Sequence, residues 1–475
     1  MPPTVALLLC TAFVLFLLQL ERRASRRVST ALWIPTIWML AIATKPLASW
    51  FGVIGDSNES GSELDRLVLT GLGLLAIVVL ARRRFDWLGS LRRQGWLLAL
   101  LVYMFVSTFW SDITLIAFRR WMREVIVVIM ALVIVSEADP RQAFQSLLRR
   151  SIYILMPFSL LLIKYYPALG RAYGQWSGIG MWIGVTLQKN SLGRLCLIGA
   201  LFLLWALYRR WREPAVGAGR YIGWADLSVL LISLFLLKGA DNAYSATSIV
   251  ALAVGITSFL ALLAFRKLKL RVPQLIVLAL VIFITCFGTS TPFLGGSNVA
   301  TFTSSLGRDD TLTGRTEVWA ALVPVVERQP LFGAGFASFW TTQRREFYDI
   351  PHGHNGYLDI LLELGAVGLV FNTFWVLSCA RKFQAALAVD YDGASLAICF
   401  LLSTLICNFT ESVLTSLTEP LTAVLTLTSF VLSYKPILRS KRIQNRTVSA
   451  RDATTSLTAA APLAGARNVA RIAAK

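Results

Sequence analysis

Thirteen apolar runs, most of them about the length of a bilayer crossing, recur from one end of this 475-residue chain to the other. They centre on 4–20, 31–50, 67–81, 96–110, 124–138, 151–168, 191–208, 226–240, 247–264, 273–289, 356–380, 394–410 and 419–434. The count is twelve if a short run is not a full crossing. A mean hydropathy of +0.63 with 15% charged residues is wrong for a soluble domain. The expected fold is all-α: a polytopic integral membrane protein with about 12–13 transmembrane helices. The first run does not read as a secretory signal, since no basic residue precedes it and no small-residue cleavage site follows. Cys10 follows Leu9, where a lipidation cysteine needs a small residue.

Charge gives the orientation. Every second loop, together with the C-terminal tail, holds thirty-one of the 46 Lys and Arg residues. These are 21–30, 82–95, 139–150, 209–225, 265–271, 381–392 and 435–475, and the positive-inside rule makes them cytoplasmic. The net charge of +20 is then mostly topology and contact with anionic headgroups, with no nucleic-acid partner implied. Two parts are expected: a membrane domain over 1–434 and a basic, disordered cytoplasmic tail over 435–475. All six cysteines (Cys10, Cys196, Cys286, Cys379, Cys399, Cys407) fall inside apolar runs. They suggest small core residues rather than disulfides or a zinc site.

The same alternation places 51–66, 111–123, 169–190, 241–246, 290–355 and 411–418 on the outer side. The loop 290–355 is by far the longest. It opens with small and polar residues and reaches Gly307-Arg308-Asp309-Asp310, then Gly314-Arg315-Thr316-Glu317-Val318-Trp319. From there Val318, Trp319, Leu322, Val325 and Val326 repeat at helical spacing. The pattern predicts a short amphipathic helix lying along the membrane surface, bent or shifted at Pro324. Arg315 stands at its start, where unpaired N–H groups and a guanidinium together suit a phosphate. It can equally pair with Asp309 or Asp310, or with a lipid headgroup.

Other outer-face cations are weighed the same way. Arg119, Arg120 and Arg123 enter a span at helical spacing, which suits an anionic ligand or interfacial snorkelling. Lys189 and Arg194 stand at the edge of the next span but one, where cations are functional candidates. Trp176 and Trp182 suit sugar stacking or, more simply, interfacial anchoring.

The two histidines of the chain, His352 and His354, close the long loop in Pro351-His352-Gly353-His354-Asn355. Histidine exchanges protons near neutral pH. Three readings compete: an inert interfacial pair, a metal site lacking further ligands, and a general base beside a phosphate-binding arginine. The last is what glycosyl transfer from a lipid carrier requires: proton abstraction from a hydroxyl and stabilisation of a diphosphate leaving group.

At these residues the chain resembles the bacterial O-antigen ligase and Wzy-type polysaccharide polymerase superfamily. The signature is His354-Asn355, nine residues, then Gly365-Ala366-Val367-Gly368. The approach through Gly314-Arg315, Val318-Trp319 and Pro330-Leu331-Phe332-Gly333-Ala334-Gly335 is similar, as are Trp110-Ser111-Asp112 and Lys189-Asn190-Ser191-Leu192-Gly193. The resemblance runs from about 100 to 435. Leu32-Trp33-Ile34-Pro35, Lys45-Pro46-Leu47-Ala48-Ser49-Trp50 and Ser62-Glu63-Leu64-Asp65-Arg66 look most like exopolysaccharide polymerases of the succinoglycan type.

The resemblance implies a metal-independent, inverting glycosyltransferase without cofactors, active on the periplasmic side of the bacterial inner membrane. Its donor would be an undecaprenyl-diphosphate-linked saccharide, and a flippase and a chain-length regulator are the implied partners. His354 carries over as the base and Arg315 as the diphosphate-binding arginine. In ligases of the family a second arginine often follows a serine; here Ala246 follows Ser245. Lys189, Lys238 or the group Arg119, Arg120 and Arg123 is expected to supply that charge, with His352, Asn355, Arg308 and Arg194 as secondary candidates. A ligase acting on a lipid A core or a protein is the alternative within the family. A lipid or saccharide transporter is the alternative from another class, with charges at the bilayer midplane as its mark.

Overall fold

The computed structural model describes residues 1–25, 27–50, 62–173, 180–213, 218–240, 243–270, 272–294, 313–350 and 352–434. Arg308, Asp309, Asp310 and Trp176, the opening of the long loop and the basic tail lie outside the described residues. The helices form one unit, Met1–Ser433.

Within a bilayer the backbone must satisfy its own polar groups, and each apolar run does so as a helix. In chain order they are α1 (Pro3–Ala24), α2 (Trp33–Ala43), α3 (Glu63–Arg82), α4 (Gly95–Ser107), α5 (Thr114–Val135), α6 (Pro140–Tyr165), α7 (Lys189–Arg212), α8 (Ala218–Lys238), α9 (Ala246–Lys267) and α10 (Gln274–Ser290). The long loop contributes α11 (Thr313–Arg328) and α12 (Thr342–Tyr348), and the chain continues through α13 (Gly356–Ala386), α14 (Tyr391–Thr410) and α15 (Pro420–Ser433). Among the described residues nine helices are long and apolar enough to cross a membrane, and three shorter apolar ones, at 30–43, 95–110 and 420–433, accompany them. The remaining run is α5, whose first turns carry Arg119, Arg120, Arg123 and Glu124. The protein is an all-α polytopic membrane protein. A two-stranded hairpin, Arg171–Tyr173 with Gly180–Trp182, is the sheet found among the described residues.

Side-chain caps fix several helix starts. Asp139 accepts from the Gln142 amide ahead of α6, and Asp390 from the Gly393 amide ahead of α14. Helix α14 packs along α9, α13 and α15, which places it inside the bundle.

Among the described residues, the two sets of alternate loops meet at opposite ends of the helices. At one end Arg83 meets Glu137 at 2.6 Å, Arg141 meets Asp390 at 3.2 Å, and Arg212 and Arg266 share Asp392 at 3.2 and 2.6 Å. At the other, Ser111 and Ser338 share a hydrogen bond of 2.6 Å, the Lys45 amide donates to Val185, and Glu124 accepts from the Leu417 amide.

Two glycine motifs of the sequence prove to be one structural device. Gly365, with φ 66°, breaks the helical path inside α13. The freed carbonyls of Leu362 and Glu363 accept the amides of Ala334 and Gly335 at 2.9 and 2.8 Å, and the Ala366 amide donates to Pro330 at 2.8 Å. Segment 330–335 therefore lies against the broken turn. A Cβ on Gly365 would come within 2.2 Å of the Leu331 carbonyl oxygen, so this approach requires glycine.

Helix α11 carries the expected apolar face, but protein covers it. Trp319, Leu322 and Val326 form one cluster with Phe339, Trp340, Leu358, Leu361 and Leu362, and Val318 and Val325 pack at its edge. The membrane surface is not what this face rests on. The helix is docked on the start of α13, just after the histidines.

Candidate functional site

His352 and His354 sit in the short link between α12 and α13. Asn355 is the N-cap of α13: its side-chain oxygen accepts from the amides of Tyr357 and Leu358, at 3.0 and 3.1 Å. Its side-chain nitrogen donates to the Gly288 carbonyl at 3.1 Å. Both polar atoms of the Asn355 side chain are thus engaged in tying the histidine link to α13 and α10. His354 takes φ 51°, the left-handed region that a side chain other than glycine rarely adopts. Such strain persists where the surroundings over-determine it. Here the cap follows it, and Trp319 donates to the preceding Gly353 carbonyl at 2.8 Å.

The cluster centres on a residue the sequence reading did not single out. Glu411, buried at the end of α14, has His354 Nδ1 3.7 Å from Oε1 and His352 Nε2 4.0 Å from Oε2. Arg315 from α11 reaches Oε1 at 3.4 Å, and Arg194 from α7 reaches Oε2 at 3.3 Å. Asn190, at the start of α7, donates to Oε1 at 2.6 Å. Arg194 is tied more tightly to Glu419, at 2.6 Å. The two imidazole centroids are 4.2 Å apart, and His352 Nδ1 accepts the His354 amide at 3.2 Å.

The electrostatics follow from this crowd. Burial alone would raise the Glu411 carboxyl, but His354, Arg194 and His352 outweigh it and bring the pKa down to about 2. For His352, burial and the neighbouring His354 lower the pKa to about 3, so its ring is neutral at physiological pH. Burial also lowers Arg315, against the pull of Glu411. His354 Nδ1 is buried and makes no hydrogen bond among the described residues, and 3.7 Å is beyond hydrogen-bond reach.

The ligand atoms of His352, His354 and Glu411 lie within 4.8 Å of one another, close enough to hold a metal ion. The sequence reading set a metal aside for want of further ligands, and Glu411 supplies one. Yet Arg194 and Arg315 contact the same carboxylate. A divalent cation there would share the carboxylate with two guanidinium groups, whose charge would oppose it.

Arg119, Arg120 and Arg123 occupy the first turns of α5, where Arg120 donates to the Ala337 carbonyl. Neither Arg119 nor Arg123 contacts Glu411 or the histidines among the described residues. Lys189 opens α7, one residue before Asn190. Lys238 ends α8, exposed. The neighbourhood of Ala246 is informative: Gly193 of α7 packs so closely on Ser245 and Ser248 that a Cβ there would come within 2.6 Å of both side chains. The backbone just before Arg194 is therefore packed against the residues on either side of Ala246.

Glu411 had one visible signal, a lone acid opening an outer loop at a membrane edge, where ionisable residues are functional candidates.

Fold and cluster define a class: a polytopic α-helical membrane protein with histidines, arginines and a buried glutamate converging at one end of its bundle. A family model described as O-Antigen ligase matches residues 242–373, which include α9, α10, Arg315 and both histidines. The chain is also 25% identical over 343 residues, 70% of its length and 74% of the relative's, to the exopolysaccharide production protein ExoQ of Rhizobium meliloti (strain 1021). The two likenesses support the O-antigen ligase and Wzy-type family as the family of this protein.

Proposed function

We propose that this protein is a glycosyltransferase that polymerises undecaprenyl-diphosphate-linked oligosaccharide repeat units into an exopolysaccharide. The convergence of His354, Arg315 and Arg194 on one carboxylate carries the reading. The active site is at the periplasmic face of a bacterial inner membrane, because the cluster sits at the end opposite the basic loops. His354 takes the proton from an acceptor hydroxyl as its oxygen bonds to the anomeric carbon of the donor sugar. The bond from that carbon to the diphosphate oxygen breaks, and attack from the opposite face inverts the configuration. Undecaprenyl diphosphate departs with the electron pair. Arg315 and Arg194 hold its charge, exchanging Glu411 oxygens for phosphate oxygens, which suit the guanidinium fork. Arg194 thus fills the role of the arginine absent at Ala246. Glu411 stabilises the imidazolium that forms on His354, as carboxylates do beside catalytic histidines. No step needs a metal. A flippase delivers the donor and a chain-length regulator limits the product.

The name of the relative, an exopolysaccharide production protein, supports polymerisation. The description of the family supports a second reading, in which a ligase transfers the glycan to a lipid A core or a protein. Purified protein in lipid nanodiscs, given a lipid-linked repeat unit, is expected to release undecaprenyl diphosphate and build a length ladder. A single capping of a different acceptor favours the ligase, and no released undecaprenyl diphosphate ends both. Arg315→Gln and Arg194→Gln are each expected to raise the donor KM roughly ten- to hundredfold, the worth of a hydrogen bond to a charged group. Arg119→Gln is expected to leave it unchanged.

A further inference from the structure

The histidine link and the glutamate loop belong to different parts of the chain, yet one side chain holds both. Asp359, in the first turn of α13, is 1% exposed. Its Oδ1 accepts the Gly353 amide at 3.1 Å and the Trp340 indole N–H at 2.9 Å. Its Oδ2 lies 3.2 Å from the same Gly353 amide and accepts the Ser412 hydroxyl. Gly353 stands between the two histidines, and Ser412 follows Glu411 directly. Trp319 binds the Gly353 carbonyl from the other side, so both backbone polar groups of that residue are engaged. The Ser412 oxygen also lies 3.4 Å from His352 Nδ1. A Cβ on Gly353 would come 2.7 Å from Asp359 Oδ1, so the carboxylate sits directly against the link.

The rest of the glutamate loop is anchored independently. Asn408 accepts the amides of Val413 and Leu414 at 3.1 and 2.8 Å, and Asn372 donates to the Leu414 carbonyl at 3.1 Å. Glu124 accepts from the Leu417 amide and the Ser416 hydroxyl. That loop holds its shape without Asp359. What Asp359 adds is the registration of the histidine link against it. A carboxylate needed only to stabilise the start of a helix would not have to reach two separate loops.

We propose that Asp359 is a positioning residue that sets the distance between His354 and the Glu411–arginine cluster by bonding Gly353 and Ser412 at once. This rests on His354 being the base, and it names the group that keeps the base in place. An outer-shell partner of this kind is worth roughly ten- to a hundredfold in activity, and a displacement of about 1 Å at the reacting group costs as much. Asparagine at 359 keeps an acceptor for Gly353 and Trp340 but presents N–H groups to Ser412. Alanine removes every arm.

The test uses the fact that the chain has two histidines. With ring-15N-labelled histidine, the full-length protein in nanodiscs gives two imidazole spin systems, read by magic-angle-spinning NMR. In the wild type, His352 is expected as the Nε2–H tautomer, because its Nδ1 accepts the His354 amide. Asp359→Asn and Asp359→Ala are expected to shift the resonances of both rings. Turnover per folded molecule should fall about tenfold for asparagine and about a hundredfold for alanine, with the donor KM within about threefold of wild type. Ser412→Ala, which cuts one arm, should move the rings and lower turnover less; it also serves if Asp359→Ala does not insert. Unchanged ring signals in Asp359→Asn and Ser412→Ala overturn the proposal, as does turnover within about threefold of wild type once corrected for folded protein. A wild type that never consumes lipid-linked donor defeats the functional reading alone, since the ring spectra still decide what Asp359 positions.

Discussion

Toward the basic end of the bundle, Arg149 grips Asp226 through bonds of 3.0 and 3.3 Å, and Tyr153 donates to the same carboxylate at 2.6 Å. At the histidine end, Glu411 has two arginines and two histidines around it at 3.3 to 4.0 Å. Both carboxylates are buried and both face arginine. The first is gripped by Arg149 through both its oxygens, with Arg210 beside it at 3.4 Å, and its charges serve packing. Around the second no guanidinium is closely seated on the carboxylate, and Asn190 alone comes to 2.6 Å. Arg315, held that loosely, can change partners when an anion with more oxygens arrives, and Arg194 can exchange its Glu411 contact while keeping its 2.6 Å bond to Glu419. The arrangement of charge, more than its amount, separates a staple from a site.

Breaking the site should leave the staple intact. His354→Ala is expected to lower polymer formation on the order of 10²–10⁴-fold, the range of a lost general base. Insertion and melting temperature should match wild type, measured by detergent-resistant folding and a thermal scan. Full activity would remove His354 from the chemistry. The reverse experiment acts on the other end. Asp226→Ala leaves Arg149 buried and unpaired, which costs roughly 3–5 kcal/mol. The yield of folded protein should drop while turnover per folded molecule stays at the wild-type level. An equal loss of turnover would mean that the two ends are coupled.

The contrast also explains what could be read from the sequence. Thirteen helices were legible because hydropathy reports what a bilayer must bury, and each run became a helix near its expected place. The apolar face of α11 was legible as well, through Val318, Trp319, Leu322, Val325 and Val326. Its partner was not, because periodicity shows that a face is covered without showing by what. His354 and Arg315 stood out through rarity and motif. Glu411 did not, since it reaches His354 only after α13 and α14 pack as a hairpin. Arg194 was visible as an edge cation beside several others. Its choice over Arg119 or Lys238 depends on the contact of Gly193 with Ser245 and Ser248, which no local pattern contains.

The smallest expected effect concerns His352, and it sharpens the comparison through pH. Its ring faces His354, Glu411, Arg194 and Arg315, and Ser412 links it to Asp359. Burial, His354, Arg194 and Arg315 hold its pKa at about 3, below the ordinary 6.5, against the opposite pull of Glu411. Between these values an unfolded chain binds a proton that the folded one refuses, so acid favours unfolding and stability falls as pH drops from about 6.5 toward 3. Glu411 is also depressed, to about 2, and its stabilisation is lost lower, as pH falls from about 4.5 toward 2. His352→Asn removes the first effect and keeps the second. The measurement is the difference in melting temperature between wild type and His352→Asn across pH 7.5 to 5, which cancels every group the two share. Wild type is expected to lose ground steadily below about 6.5, while turnover of the variant at pH 7.5 stays within about tenfold, short of the loss of a general base. A difference that does not change with pH would mean that His352 is as open to protons as an exposed imidazole. Glu411 would then be surrounded by charge that water already screens, and the loose cluster would lose its claim to differ from the ion pairs at the other end.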